Sequence, residues 1–135
     1  MIYMKGYKAN IEKQTEENTK FRQVRYTSKH LQLVLMALKP KEEIGFEIHE
    51  ENDQFFRFES GTGQVTIDER VADLNSGDCV IVPAGARHNI VNTSETDYLK
   101  FYTLYSPPHH KDKTIHETKE DALKDKEEFD GVTSE

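Results

Sequence analysis

The chain has 135 residues, 18 lysines and arginines against 25 aspartates and glutamates, a formal net charge of −7 and a single cysteine. That length suits one domain around one core, no basic stripe with interleaved aromatics is present for nucleic acid, and the lone Cys79 excludes an intramolecular disulfide. No apolar run reaches the roughly 18 residues of a membrane span and no charged-then-apolar start marks a secretory signal, so the cytoplasm is the expected compartment.

The acidity is unevenly placed. From Glu117 onward eight acids face three lysines, a balance of −5, whereas the first 116 residues carry 17 acids and 15 bases. The body is nearly neutral and the carboxyl-terminal tail is acidic.

Residues 1–19 read as a polar amino-terminal segment, with 10–20 a loop or short helix. Phe21–Tyr26 alternates as a half-buried strand does. Leu31–Leu38 is almost continuously apolar, too apolar for a strand with one wet face, and is expected to need cover from a second copy of the chain. Further strands are expected at Glu43–His49, Phe55–Glu59, Gly63–Ile67, Arg70–Leu74, Cys79–Val82, His88–Val91 and Leu99–Tyr105. Turn chemistry separates them, as in Ser60-Gly61-Thr62-Gly63 and Asn75-Ser76-Gly77-Asp78. About nine short strands with regular punctuation predict an all-β sandwich or barrel, here over residues 20–106. Cys79, inside an apolar strand, reads as a small core residue.

Pro107 and Pro108 cannot continue a central strand. Residues 107–135 are read as a His/Pro loop, a short acidic helix capped by Thr118 with Asp121 in its first turn, and a disordered end from Gly131. His109, His110 and His116 fall within PPHHKDKTIH, as a lid over the barrel mouth or, alternatively, as a metal site of their own.

Alternation marks one candidate site. Phe46 and Ile48 are apolar, Glu47 and His49 polar, and residues two apart on a strand share a face. If the polar pair points inward it needs a partner, and a metal ion is the simplest. A solvated Glu47 with a surface His49 in an acidic hairpin is the alternative. Phe56 and Phe58 alternate onto the face of Gln54 and read as packing, while Tyr102 and Tyr105 are core residues or pocket walls.

The stretch from Gly77 to Asn92, GDCVIVPAGARHNIVN, spaces Gly77, Pro83, Gly85, His88 and Asn92 at fixed offsets around a strand, a turn and a second strand. This resembles the second conserved motif of the cupin family, whose histidine, at the place of His88, is a metal ligand. The family's first motif aligns less completely: Gly61 closes it, His49 is kept, Glu47 stands for its first histidine, Gln54 for its glutamate and Lys41 for its opening glycine. The carboxyl-terminal stretch from Leu99 also resembles small bacterial cupins described as mannose-6-phosphate-isomerase-like. The resemblance implies an all-β double-stranded β-helix, or jelly-roll, barrel with a short C-terminal helix. It also implies a divalent transition metal held by Glu47, His49, Gln54 and His88, with zinc, iron, manganese, nickel and cobalt all compatible with the donor set.

Three functions remain open on the sequence. One is a metal-binding cupin acting on a small molecule, by sugar isomerisation or as a metal-dependent dioxygenase. Another is a non-catalytic small-ligand-binding or sensor module, and the third is a metal-free epimerase or isomerase using a histidine and a tyrosine. A homodimer is the expected assembly.

Overall fold

The structure, a computed structural model, describes residues 4–135. The polar segment before the first strand forms α1 (Ile11–Glu17), started by Asn10, whose side chain accepts from the Lys13 N–H at 3.1 Å. Ten strands follow: β1 (Arg22–Thr27), β2 (Gln32–Leu38), β3 (Glu47–Ile48), β4 (Asp53–Ser60), β5 (Gly63–Ile67), β6 (Arg70–Leu74), β7 (Cys79–Val82), β8 (Arg87–Asn92), β9 (Leu99–Ser106) and β10 (Ile115–His116). The last element, α2 (Lys119–Lys124), carries the expected capping box between Thr118 and Asp121.

Two antiparallel sheets face each other in a jelly roll, one ordered β10-β1-β2-β9-β4-β7 and the other β3-β8-β5-β6. Residues opposite each other in an antiparallel ladder share a face, so the register defines the interior. Arg22 lies opposite Met36, which lies opposite Phe101, which lies opposite Phe58. A second row runs Gln32, Tyr105, Gln54, Val82. From the smaller sheet Glu47 pairs with His88, and His88 with Ile67. One end of the interior is packed with Phe56, Phe58, Phe101, Leu38 and Leu99, all fully buried; the other end holds the polar side chains.

Three expectations need correction. The run Leu31–Leu38 is not an exposed edge: β2 lies between β1 and β9, α1 packs across its outer side, and Val34 to Leu38 are buried within the chain itself. Cys79 is exposed, because Val80 and Val82 take the inward positions of edge strand β7 and leave Cys79 and Ile81 outside. The strand expected over Glu43–His49 shrinks to β3 and an isolated bridge from Glu43 to Val91, since Gly45 adopts φ +103° between them and donates its N–H to Asn89 Oδ1 at 2.9 Å.

Ser134 and Thr27 exchange two hydrogen bonds of 2.8 Å, and the Glu135 carboxylate accepts from Tyr26 and from the backbone of Lys5 and Gly6, which ties 131–135 to β1. Among the described residues no helix is long and apolar enough to cross a membrane.

Candidate metal centre

Short strand β3 does what its alternation implied. Phe46 and Ile48 are about half exposed, the Arg87 guanidinium lying over the Phe46 ring at 3.7 Å, while Glu47 and His49 turn toward the interior. Opposite them, His88 is carried inward by β8 after the Pro83–Gly85 turn, where Gly85 adopts φ +89°. Donor atoms of Glu47, His49 and His88 all lie within 4.8 Å of one another. Two imidazoles and a carboxylate so placed are a possible site for a divalent transition metal.

Protonation supports that chemistry. The carbonyl of Ala86 lies 2.9 Å from His88 Nδ1 and can only accept, so Nδ1 carries the hydrogen and Nε2 is left with a lone pair. That Nε2 is buried and has no hydrogen-bond partner. Burial lowers the His88 pKa, against a smaller opposing effect of the Ala86 carbonyl, and keeps the ring neutral. For Glu47, burial pushes upward, but the His49 hydrogen bond and the nearby charges of His49, Arg22 and His88 outweigh it and hold the carboxyl below its ordinary value.

Gln54 occupies the interior face of β4 next to Phe56 and is 3% exposed. Its amide nitrogen donates to Thr103 Oγ1 at 3.0 Å, and its Oε1 is buried without a donor. A native interior rarely leaves an acceptor unsatisfied. Two such acceptors in one polar interior, Gln54 Oε1 and His88 Nε2, form an environment suited to a cation.

The His/Pro loop covers this region. His109 packs on His49 with ring centroids 4.3 Å apart, and both His109 and His110 pack against Tyr105. Two buried carboxamides hold the loop. Gln32 Oε1 accepts from the N–H groups of His109 and His110, its Nε2 donates to the His110 carbonyl, and Asn52 Nδ2 donates to the carbonyls of Pro107 and Pro108. Burial drives the His109 pKa down to about 4 and that of His110 well below the usual histidine range, while it raises the Tyr105 hydroxyl, 3.3 Å from His110 Nε2. A cavity of about 330 Å³ opens beside the centre, lined in part by His49, Asn52, His109 and Glu128.

His116 stands apart from the other two tail histidines. It pairs across β10 with Arg22, its Nε2 donates to Asp125 Oδ2 at 2.8 Å, and its Nδ1 lies 3.3 Å from Arg22 Nη1. Tyr102 faces outward with Phe55, whereas Tyr105 is inside. Phe56 and Phe58 are core, as read.

Sequence reasoning missed Arg22, Gln32 and Asn52. Gln32, a lone amide at the start of an apolar run, was the available signal. Asn92 proves to be a staple: its side chain donates to the carbonyls of Leu38, Lys39 and Asp97 and accepts from Ser94 N–H. Lys41 adopts φ +65°, a left-handed conformation in the place where the resembling motif has glycine.

A family model described as a cupin domain matches residues 34–105. The chain is 49% identical over 108 residues to an uncharacterized protein of Acanthamoeba polyphaga mimivirus, covering 77% of this chain and 67% of that protein. It is 42% identical over 125 residues to the uncharacterized YrkC protein of Bacillus subtilis, covering 88% and 67%. The crystal structure of BH2720 from Bacillus halodurans superposes with a TM-score of 0.85 at 38% identity, over 88% of this chain and 94% of that one.

Proposed function

This chain belongs to the cupin family, and from that premise we propose that Glu47, His49 and His88 bind a divalent transition metal, with the Gln54 amide oxygen as a weaker fourth ligand, to hold and transform a small molecule. The observation that carries this reading is the buried, donorless His88 Nε2 grouped with a carboxylate and a second imidazole, and Gln54 Oε1 on the interior face of β4 is a second buried acceptor without a donor. A bound ion would supply Lewis-acid polarisation of a substrate oxygen, or dioxygen chemistry if it is iron. Isomerisation of a sugar is the activity we favour, with metal-dependent oxygenation as the alternative.

The residues around the centre have their own parts. Phe56 and the His/Pro loop exclude water, and Gln32 holds that loop over His49. Gln54 in place of a carboxylate favours a second reading, a non-catalytic module that binds or senses a small ligand. A cytoplasmic homodimer joined through the outward apolar row Ile81, Phe55, Leu104 and Leu33 completes the proposal; light scattering that gives a monomer at micromolar concentration removes the dimer.

The deciding experiment is metal analysis of tag-free protein, wild type against His49→Ala and His88→Ala. The proposal expects near-stoichiometric metal lost in both variants, and less than about 0.1 equivalents in the wild type would overturn it. Turnover of sugars and sugar acids, or oxygen uptake, by the metal-loaded protein separates the enzyme from the module.

A further inference from the structure

Arg22 is buried on the interior face of β1, 6% exposed, with its guanidinium 5.2 Å from the Phe21 ring and near enough to Glu47 to lower that carboxyl. Among the described residues no carboxylate lies within ion-pair distance of it. Its Nη1 meets His116 Nδ1 at 3.3 Å, and its Nε is buried with no hydrogen-bond partner. A guanidinium withdrawn from water without an anion is strongly unfavourable, and a structure that keeps one has a use for the missing partner.

The guanidinium is also held in place. Asp125 Oδ2 only accepts, so His116 Nε2 carries the hydrogen and its Nδ1 presents a lone pair to Arg22. The sequence Asp125, His116, Arg22 thus orients the fork. All three line a cavity of about 180 Å³ whose wall also carries His109, Lys126, Glu127 and Glu128. His109 and Glu128 also line the larger cavity beside His49. The two cavities share a wall, with a cation-demanding cluster on one side and a cation on the other.

We propose that Arg22 anchors a carboxylate of the small-molecule ligand, so that the ligand is an organic acid gripped by Arg22 at one end and presented to the Glu47, His49 and His88 centre at the other. The metal-facing half of this statement rests on the function proposed above; the anion-binding half does not. A carboxylate is favoured over a phosphate by charge and by shape. Glu127 is paired with Lys111 at 2.9 Å and Lys126 adds a positive charge to the wall, but Asp125, hydrogen-bonded to a neutral His116, and Glu128 keep their charge and repel an incoming anion, and a monoanion suffers less from them than a dianion. A planar carboxylate also matches the guanidinium fork.

Calorimetry on the full metal-loaded chain tests this, with glycolate and pyruvate as probes, glycolamide and pyruvamide as their neutral counterparts, and inorganic phosphate as the dianion. The wild type should bind the acids at least about tenfold more tightly than the amides, Arg22→Gln should abolish that preference with metal content unchanged, and Arg22→Lys should fall between them. The preference should survive in the His88→Ala protein. Equal binding of acids and amides by the wild type overturns the proposal without recourse to any variant. So does a preference that persists in Arg22→Gln or disappears when only the metal is lost, because the ion alone would then bind the acid. Phosphate binding more tightly than the carboxylates overturns the ligand class. A wild type that takes up no metal yet still prefers acids refutes the metal centre and leaves the Arg22 anchor standing.

Discussion

His49 Nε2 lies 3.0 Å from Glu47 Oε2, so two side chains offered to a metal are hydrogen-bonded to each other. The carboxylate only accepts, which places a hydrogen on His49 Nε2. Glu47 and His49 Nε2 could hold a metal ion only once that hydrogen leaves Nε2, to Nδ1 by tautomerisation or to solvent.

Protons compete with a metal for these imidazole and carboxylate atoms, so metal affinity is expected to weaken as pH falls. Removing even an outer partner of a metal ligand commonly costs about 10- to 100-fold in affinity, and Glu47→Ala or His88→Ala should cost at least that. Competition titration with a chelating indicator at several pH values checks both statements; affinity that does not change between pH 7.5 and 5 would contradict the competition.

Stability should decline in acid because His88 and His109 are buried neutral. Burial lowers His88 and takes His109 from 6.5 to about 4. Once unfolded, these rings bind protons at their ordinary value, so below it the unfolded chain holds more protons than the folded one. The stability is complete above about pH 6.5 and is lost progressively as pH falls toward 4. Urea unfolding at pH 7.5, 6 and 5 measures this, and His109→Phe should flatten the slope.

Gln32 should matter more than its position in an apolar strand suggests. Gln32→Leu preserves the apolar run but strands the N–H groups of His109 and His110, the His110 carbonyl and the Thr27 hydroxyl. At about 1–3 kcal/mol for each buried group left unpaired, with partial relaxation toward water, a loss of about 2–4 kcal/mol is expected. Faster hydrogen exchange at the His109 and His110 amides would locate the damage in the loop.

Lys41 and Gly61 should respond to substitution with opposite signs. Lys41→Gly relieves a left-handed backbone at φ +65° and should stabilise the protein by about 1 kcal/mol. Gly61→Ala places a Cβ 2.4 Å from the Tyr98 carbonyl oxygen at φ +96° and should destabilise by more than about 2 kcal/mol. Thermal unfolding of the two variants side by side reads both.

Much of the architecture was legible in order along the chain, because strands and turns are local. The alternation of Phe46, Glu47, Ile48 and His49 indicated which pair turns inward, and the spacing from Gly77 to Asn92 placed His88 at the start of a strand. The same local logic failed for Cys79. Its strand is apolar throughout, so period two showed no preferred face, and only the edge position of β7 determined which residues meet solvent. It failed for Leu31–Leu38 for a related reason: continuous apolarity signals burial on both faces without saying whether a partner chain or the chain's own α1 and neighbouring strands provide it.

Residue identity and spacing determined by themselves the all-β plan, the shared face of Glu47 and His49, the aimed His88 and the capped helix at Thr118. Tertiary structure alone decided that Arg22 lies inside, that Gln32 and Asn52 hold the loop over His49, and that His116 serves Arg22 while His109 covers the candidate centre. The physical reason is range. Alternation and turn chemistry act over a few residues, whereas a buried charge or amide acquires its meaning from partners brought together by sheet order, as Arg22 is with His116 across 94 positions of the chain.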